Sequence, residues 1–331
     1  MSMKHPHRFL RAGLVAAVLP AALVLASCGG GAEGADQEEG PVTVRVATSV
    51  SNSFPFIAIQ AMDALGTFDD TDLEVEVIEA TTPTIAQVMA GGEADIALAS
   101  GNTMASSIDL GLDATIAASN LSYWDQKIIA RPGFDAVEDL EGANFGVTGA
   151  GSPGEYSVVK LAESMGWEDG DYSVTAIGDL SSLTAALTAG QIDAFAWNSQ
   201  VAFRMEEEGT GVIVGDAADY VGDNVQQAFA VMNDFGDAHP AAVREFFEAY
   251  FAEVEALQAD PQPFVDVLVD EWSVPESVAE RVAEETLPRL SSDGVITDSE
   301  LAGLKENAEY TLGDGETIDE VAYTLWSELY Q

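Results

Sequence analysis

The chain of 331 residues sets 12 Lys and Arg against 57 Asp and Glu, a formal charge of −45 with a pI near 4.1. So few basic residues exclude a binder of nucleic acid through phosphate contacts, and a single Cys excludes a disulfide framework or a Cys-built zinc or iron–sulfur site. A hydrophobic content of 47% allows a sizeable core despite the charge, and the length suggests two domains or lobes.

The first segment reads as an export signal. Lys4, Arg8 and Arg11 form a basic stretch, and Ala12 to Ala26 is an apolar run too short to span a bilayer comfortably. It ends in Leu25-Ala26-Ser27-Cys28, which resembles the bacterial lipobox, so residues 1–27 are expected to be a lipoprotein signal peptide and Cys28 the lipidated residue. Cleavage there leaves nine basic residues against 57 acidic ones, a formal charge of −48. Residues 28–41, glycine-rich and acidic without an apolar period, read as a flexible tether. The expected location is outside the cytoplasm, anchored to the membrane by lipid alone.

From Val42 the pattern becomes one of alternating strands and helices. Val42–Ala47 alternates as a strand, Phe56–Leu65 has helical spacing and stops at Gly66, and Leu73–Ile78 alternates again. Thr84–Ala90 is a helix stopped at Gly91-Gly92, followed by a short buried strand at Asp95–Ala99, a helix at Thr103–Leu110 and a strand at Ala114–Ala118. Such alternation predicts an α/β fold with mainly parallel sheets covered on both faces. The stretch Ala86–Ala97 is echoed by Ala185–Ala196: each is a helix, an Ala-Gly stop and an Asp opening an apolar strand. Two lobes of similar build follow from the echo, although α/β turns in general share its form.

Two apolar stretches, Lys127–Gly133 and Asn224–Met232, are expected to be the hinge strands joining the lobes. Residues 42–131 with 224–331 would then form lobe I, and 132–223 lobe II. Pro240–Gln258, Pro261–Val269, Val278–Leu287, Asp298–Tyr310 and Ile318–Leu329 are expected to be helices of a C-terminal tail.

The order of these segments resembles that of the nitrate/sulfonate/taurine family of ABC-importer substrate-binding proteins, which includes binders of thiamine-precursor pyrimidines. The likeness rests on Ser53–Ala61, Leu73–Val77, Ala90–Ile96, the Asp139-Leu140-Glu141-Gly142…Gly146-Val147 opening of the second lobe, and Ala189–Ala194. It departs at Asp63–Asp70, which is acidic where the family often carries a basic residue. The resemblance implies the periplasmic binding protein type II fold, with a small molecule closed between lobes and handed to a permease served by an ATPase. It implies no cofactor and no metal, and a monomer is expected.

In a parallel α/β sheet the loops after the strands face the crevice. That selects as ligand-binding candidates Ser51, Asn52 and Phe54; Thr81 and Thr82, with Thr82 as a helix N-cap; Ser100, Gly101, Asn102 and Thr103; and Tyr123 and Trp124. In the second lobe it selects Thr148, Gly151, Ser152, Trp197 and Asn198. Gly149, Gly151 and Gly154 spell a G-x-G-x-x-G, a weak dinucleotide signal read instead as an anion or polar-group cradle at a helix start. Lys127, Arg131 and Arg204 are the basic residues near the cleft, each expected at a hinge or the surface rather than on the ligand. Tyr123, Trp124 and Trp197 favour an organic ligand, stacked or held by a cation–π contact. A taurine- or alkanesulfonate-like compound fits these features, with a thiamine-precursor pyrimidine or nitrate as alternatives.

Catalysis is not expected. One His, His239, follows Cys28, too few for a His-based acid–base or metal centre. Glu206-Glu207-Glu208 reads as a solvated helix face. A ligand sensor of the same fold remains the other reading.

Overall fold

The computed structural model describes residues 40–49, 58–81, 84–168, 170–313 and 316–330; the signal segment, Cys28 and the tether up to residue 39 lie outside them. In chain order the first elements are β1 (Val42–Ser49), α1 (Ala58–Ala64), β2 (Leu73–Ala80), α2 (Ile85–Ala90), β3 (Ile96–Ser100), α3 (Gly101–Asp109) and β4 (Ala114–Leu121). A second run comprises β5 (Lys127–Ala130), β6 (Asn144–Val147), α4 (Pro153–Met165), β7 (Ser173–Ala176), α5 (Leu180–Thr188), β8 (Ala194–Trp197), α6 (Ser199–Glu207), β9 (Val212–Asp216) and α7 (Ala218–Val221). The chain then returns through β10 (Gln227–Met232) and ends in α8 (Asn233–Ala238), α9 (Pro240–Ala259), α10 (Gln262–Trp272), α11 (Glu276–Glu285), α12 (Asp298–Leu312) and α13 (Trp326–Leu329).

The strands form two five-stranded sheets, ordered β2-β1-β3-β10-β4 and β7-β6-β8-β5-β9. In each, one strand is reversed: β10 runs antiparallel to β3 and β4, and β5 antiparallel to β8 and β9. The remaining paired strands, β1 with β2 and β3, and β6 with β7 and β8, are parallel. The two sheets therefore share one connection rule, and each borrows its reversed strand from a crossing. This is the two-lobed type II architecture.

The crossings lie slightly away from the expected hinges. The chain leaves the first sheet after Leu121 and enters the second at Lys127; it leaves the second after Asp216 and re-enters the first at Gln227. Lys127–Ala130, expected in lobe I, pairs fully within the second sheet. An apolar run that bridges two sheets reads the same whichever sheet it joins.

Strand alternation sets the cores. In the first sheet Val44, Val46, Ile96, Leu98, Phe229 and Val231 face α9, α10 and α11, while Ala97, Ala99, Ala228 and Ala230 face α3 and α12. The alanine face lets the tail helix α12 lie close. In the second sheet Ile128, Ala194 and Ala196 face α4, and Ile129 and Phe195 face α5 and α6. The echo noted in the sequence occupies matching places: Gly92 and Gly190 both take left-handed φ of 71° and 67° after their helices, turning the chain into β3 and β8. Ile318–Leu329, expected as a helix, is helical only at Trp326–Leu329; Tyr323 instead bridges to Ile116 at the sheet.

Candidate ligand-binding cleft

Both crossings lie on the side where the parallel strands end, so the strand-end loops of both lobes converge there. Ser51, Asn52, Phe54 and Thr82 lie outside the described residues. Thr81 is exposed, and its N–H and hydroxyl both meet Thr84 Oγ1, at 3.0 and 2.8 Å. Thr84 occupies the N-cap position of α2.

The β3–α3 junction packs tightly. Ser100 and Asn102 are buried, Thr103 half-buried, and a Cβ on Gly101 would collide with the Val225 carbonyl and Leu304. The Gly101 N–H donates to Gln226 O at 3.0 Å, fastening this loop to the second crossing. Asn102 Nδ2 donates to Thr311 Oγ1 of α12 at 2.7 Å. Thr311 Oγ1 in turn lies 3.4 Å from Gly151 O in the second lobe. A tail residue thus joins two of the predicted loops, a contact spanning 209 positions of sequence.

The expected second-lobe cradle is partly filled by the chain itself. Ser152 caps α4 by accepting from Glu155 N at 3.3 Å, and Glu155 Oε2 accepts from Gly151 N at 2.7 Å. One donor offered to an anion is therefore already used by a carboxylate. Thr148 is half-buried nearby. At the end of β8, Trp197 is half-buried, packed beside the Leu183–Phe195 cluster, and Asn198 caps α6 by accepting from Val201 N at 3.1 Å.

The first crossing separates the two aromatic candidates. Trp124, expected as a flat wall, is buried in the second-lobe core; its Nε1 donates to Ser157 Oγ at 2.8 Å, and its ring meets Tyr156 edge-on at 5.7 Å. Tyr123 remains half-buried: its hydroxyl donates to Asp216, Lys127 Nζ lies 2.5 Å from the same carboxylate, and Arg289 stacks 3.9 Å above its ring. Burial, then the bond to Asp216, pushes the phenol well above its usual pKa. Lys127 and Arg131 are held in ion pairs, the latter with Asp193 at 2.8 Å.

On the first crossing, between β4 and β5, sits Asp125. Its carboxylate is fully buried, neither oxygen meets a donor within hydrogen-bond limits among the described residues, and burial raises its pKa to about 6 against the opposing influence of Ser199 and Lys127. Its N–H donates to Gln226 Oε1 at 2.9 Å, and Gln227 Oε1 accepts from Asn120 Nδ2 at 2.9 Å, so the two crossings are laced side by side. Asp125, Gln226, Gln227, Arg289 and Thr311 were not singled out from sequence. The tail residues carry no local signal, and the crossing amides read as part of an apolar strand.

Residues 53–263 match the family model described as NMT1/THI5 like. That span exceeds half of the chain. The chain belongs to the NMT1/THI5-like family. The NMT1/THI5-like region runs from ahead of α1 into α10, so it includes both crossings and the whole second sheet. No curated protein matches the sequence.

Solved structures share the fold of this NMT1/THI5-like chain. The alkanesulfonate-binding protein SsuA of Xanthomonas axonopodis pv. citri, bound to MOPS, aligns over 86% of this chain and 96% of its own, with a TM-score of 0.67 and 15% identity. The periplasmic aliphatic sulphonate binding protein SsuA of Escherichia coli aligns over 86% and 91%, with a TM-score of 0.71 and 13% identity. The zinc-bound ligand-binding component of an ABC-type import system from Staphylococcus aureus aligns over 87% and 98%, with a TM-score of 0.70 and 15% identity.

Proposed function

We propose that the protein is the solute-binding component of an ABC importer. It captures a small organic nitrogen- or sulfur-containing compound of the taurine or alkanesulfonate type between its lobes and delivers it to a permease. The observation that carries this reading is the pair of crossings. Two lobes of matching topology are joined by two short segments beside each other at the strand-end face, which is the arrangement a hinge needs to close around a solute. Membership of the NMT1/THI5-like family and the shared fold with sulfonate-binding proteins support it. Binding without turnover is the activity proposed, as a monomer held outside the cytoplasm by lipid on Cys28. Two acyl chains give stable anchoring at about 0.8 kcal/mol per buried CH₂.

A thermal-shift screen of taurine, alkanesulfonates, nitrate and thiamine-precursor pyrimidines tests the ligand class. Stabilisation by a sulfonate, with a smaller radius of gyration in solution scattering, is the expected result. A shift with pyrimidines alone would move the assignment to that class. Membrane release of the Cys28→Ser variant tests the anchor.

A further inference from the structure

We infer that the cavity between α6 and the turn joining α10 to α11 is a seat for a small organic anion with an apolar body, with Arg204 as its counter-charge. This deepens the solute-binding reading above and rests on it.

The cavity has a volume of about 260 Å³, just below the roughly 300–1,000 Å³ of sites for drug-sized ligands. Its walls come from both lobes. Leu180 begins α5 after the end of β7, and Val201 and Arg204 lie on α6 after the end of β8; Trp272, Val274 and Val278 come from the tail. The second-lobe wall thus belongs to the strand-end face where the cleft lies.

Arg204 is the anomaly that gives the cavity its chemistry. The nine basic residues after Cys28 are all described, and eight have a carboxylate or an aromatic ring as partner. Arg204 has neither among the described residues. Glu206, two positions on, is bound to Arg281 at 2.7 Å. In a chain with 57 acidic residues an arginine without a carboxylate is unusual, and no Asp or Glu lines the cavity either. The lining thus combines the exposed guanidinium of Arg204 and the polar side chains of Gln200 and Ser273 with an apolar part made by Leu180, Val201, Trp272, Val274 and Val278.

The opposite wall is shaped by a backbone turn with a cost. Ser273 has φ of 52°, the one non-glycine in the left-handed region among the described residues. That turn ends α10 and places both Trp272 and Val274 along the cavity. A guanidinium fork suits the paired oxygens of a sulfonate or carboxylate. The indole and valines take up an alkyl or aryl body. An occupant touching both walls fastens α6 to the tail and so favours the closed arrangement of the lobes.

Calorimetry on the mature protein with ethanesulfonate, butanesulfonate, hexanesulfonate and hexanoate tests the seat. The wild type should bind, more tightly as the chain lengthens. Arg204→Gln should weaken every anion at least tenfold, Arg204→Lys should recover part of the loss, and Trp272→Ala should penalise hexanesulfonate more than ethanesulfonate. Unliganded melting temperatures confirm that the variants fold. Equal affinity in wild type and Arg204→Gln would overturn the seat while leaving solute capture standing. No binding of any of the four by the wild type would overturn the seat and the alkanesulfonate assignment, leaving solute capture to the thermal-shift screen.

Discussion

In the first lobe the acid that precedes β3, Asp95, is held by Arg45 of β1; in the second its counterpart, Asp193, is held by Arg131 at the end of the reversed strand β5. The backbone around them is the same. Each Asp N–H donates at 2.8 Å to the first strand, to Arg45 O or Asn144 O. Each carbonyl accepts at 2.9 Å from the reversed strand, from Met232 N or Arg131 N. Each Oδ2 accepts at 2.9 Å from the first-strand N–H, of Arg45 or Asn144. The carboxylate is thus chosen by an otherwise unpaired backbone donor at the sheet end, and the arginine compensates its charge from whichever position reaches it.

Burial is where the two sites diverge: the Asp95 side chain is 7% exposed and that of Asp193 25%. The largest expected effect follows from that difference. Asp95→Ala strands a backbone donor and breaks a largely buried bidentate pair, costing about 3–4 kcal/mol, whereas Asp193→Ala breaks a better-hydrated pair at about 1–2 kcal/mol. Urea denaturation of both variants measures the contrast; equal losses would show that burial is not what separates the lobes.

Asp125, on the crossing between the lobes, is the third case, an acid with no ion pair among the described residues. Unfolded, it ionises near 4; folded, near 6. The folded state therefore holds the extra proton between those values, and this group's contribution makes stability fall as pH rises through that window. Asp125→Asn should gain on the order of 2–3 kcal/mol over wild type above pH 6, a difference that vanishes below pH 4. A pH series of denaturation midpoints reads it. A gap that stays constant with pH would mean that the carboxylate is paired in solution.

What the sequence disclosed follows the same division. The echoed Ala-Gly…Asp segments were legible because each is local: a helix stop, a left-handed glycine and an acid at a strand start lie within a dozen residues. The two-lobed α/β fold followed from that period. The sheet assignment of Lys127–Ala130 was not legible, since an antiparallel strand inserted from a crossing has the same apolar run in either sheet. The burial of Trp124 was not legible, because loop position does not reveal which way a ring turns; its indole N–H finds Ser157 in the core. Thr311 and Arg289 act through contacts that only the folded tail reveals.

The tail also ties the lobes unequally, and that tie gives the next effect in size. Tyr310 of α12 packs on Tyr156 of α4 with ring centroids 5.2 Å apart, and burial raises the Tyr156 phenol to about 12. Tyr310→Ala should remove about 1 kcal/mol of aromatic pairing along with some apolar burial. It should also raise hydrogen exchange in α4 more than in α3, which keeps its own packing against α12. Equal exchange in both helices would mean that the tail serves the lobes alike.

The smallest effect separates local from global charge. Lys160 reaches Glu306 of α12 at 2.5 Å, but Glu306 is 60% exposed, so Glu306→Gln should cost only about 0.2–1 kcal/mol. Salt acts on this pair and on the whole body with opposite signs. Screening weakens the single attraction, yet it relieves the self-repulsion of a chain carrying −48 after Cys28, and the Debye length falls from about 10 Å at 0.1 M to about 3 Å at 1 M. Melting temperatures of wild type and Glu306→Gln should therefore both rise with salt while the gap between them closes. A wild-type melting temperature that does not change up to molar salt would show that the acidic surface is already screened at low ionic strength, leaving its repulsion no part in stability.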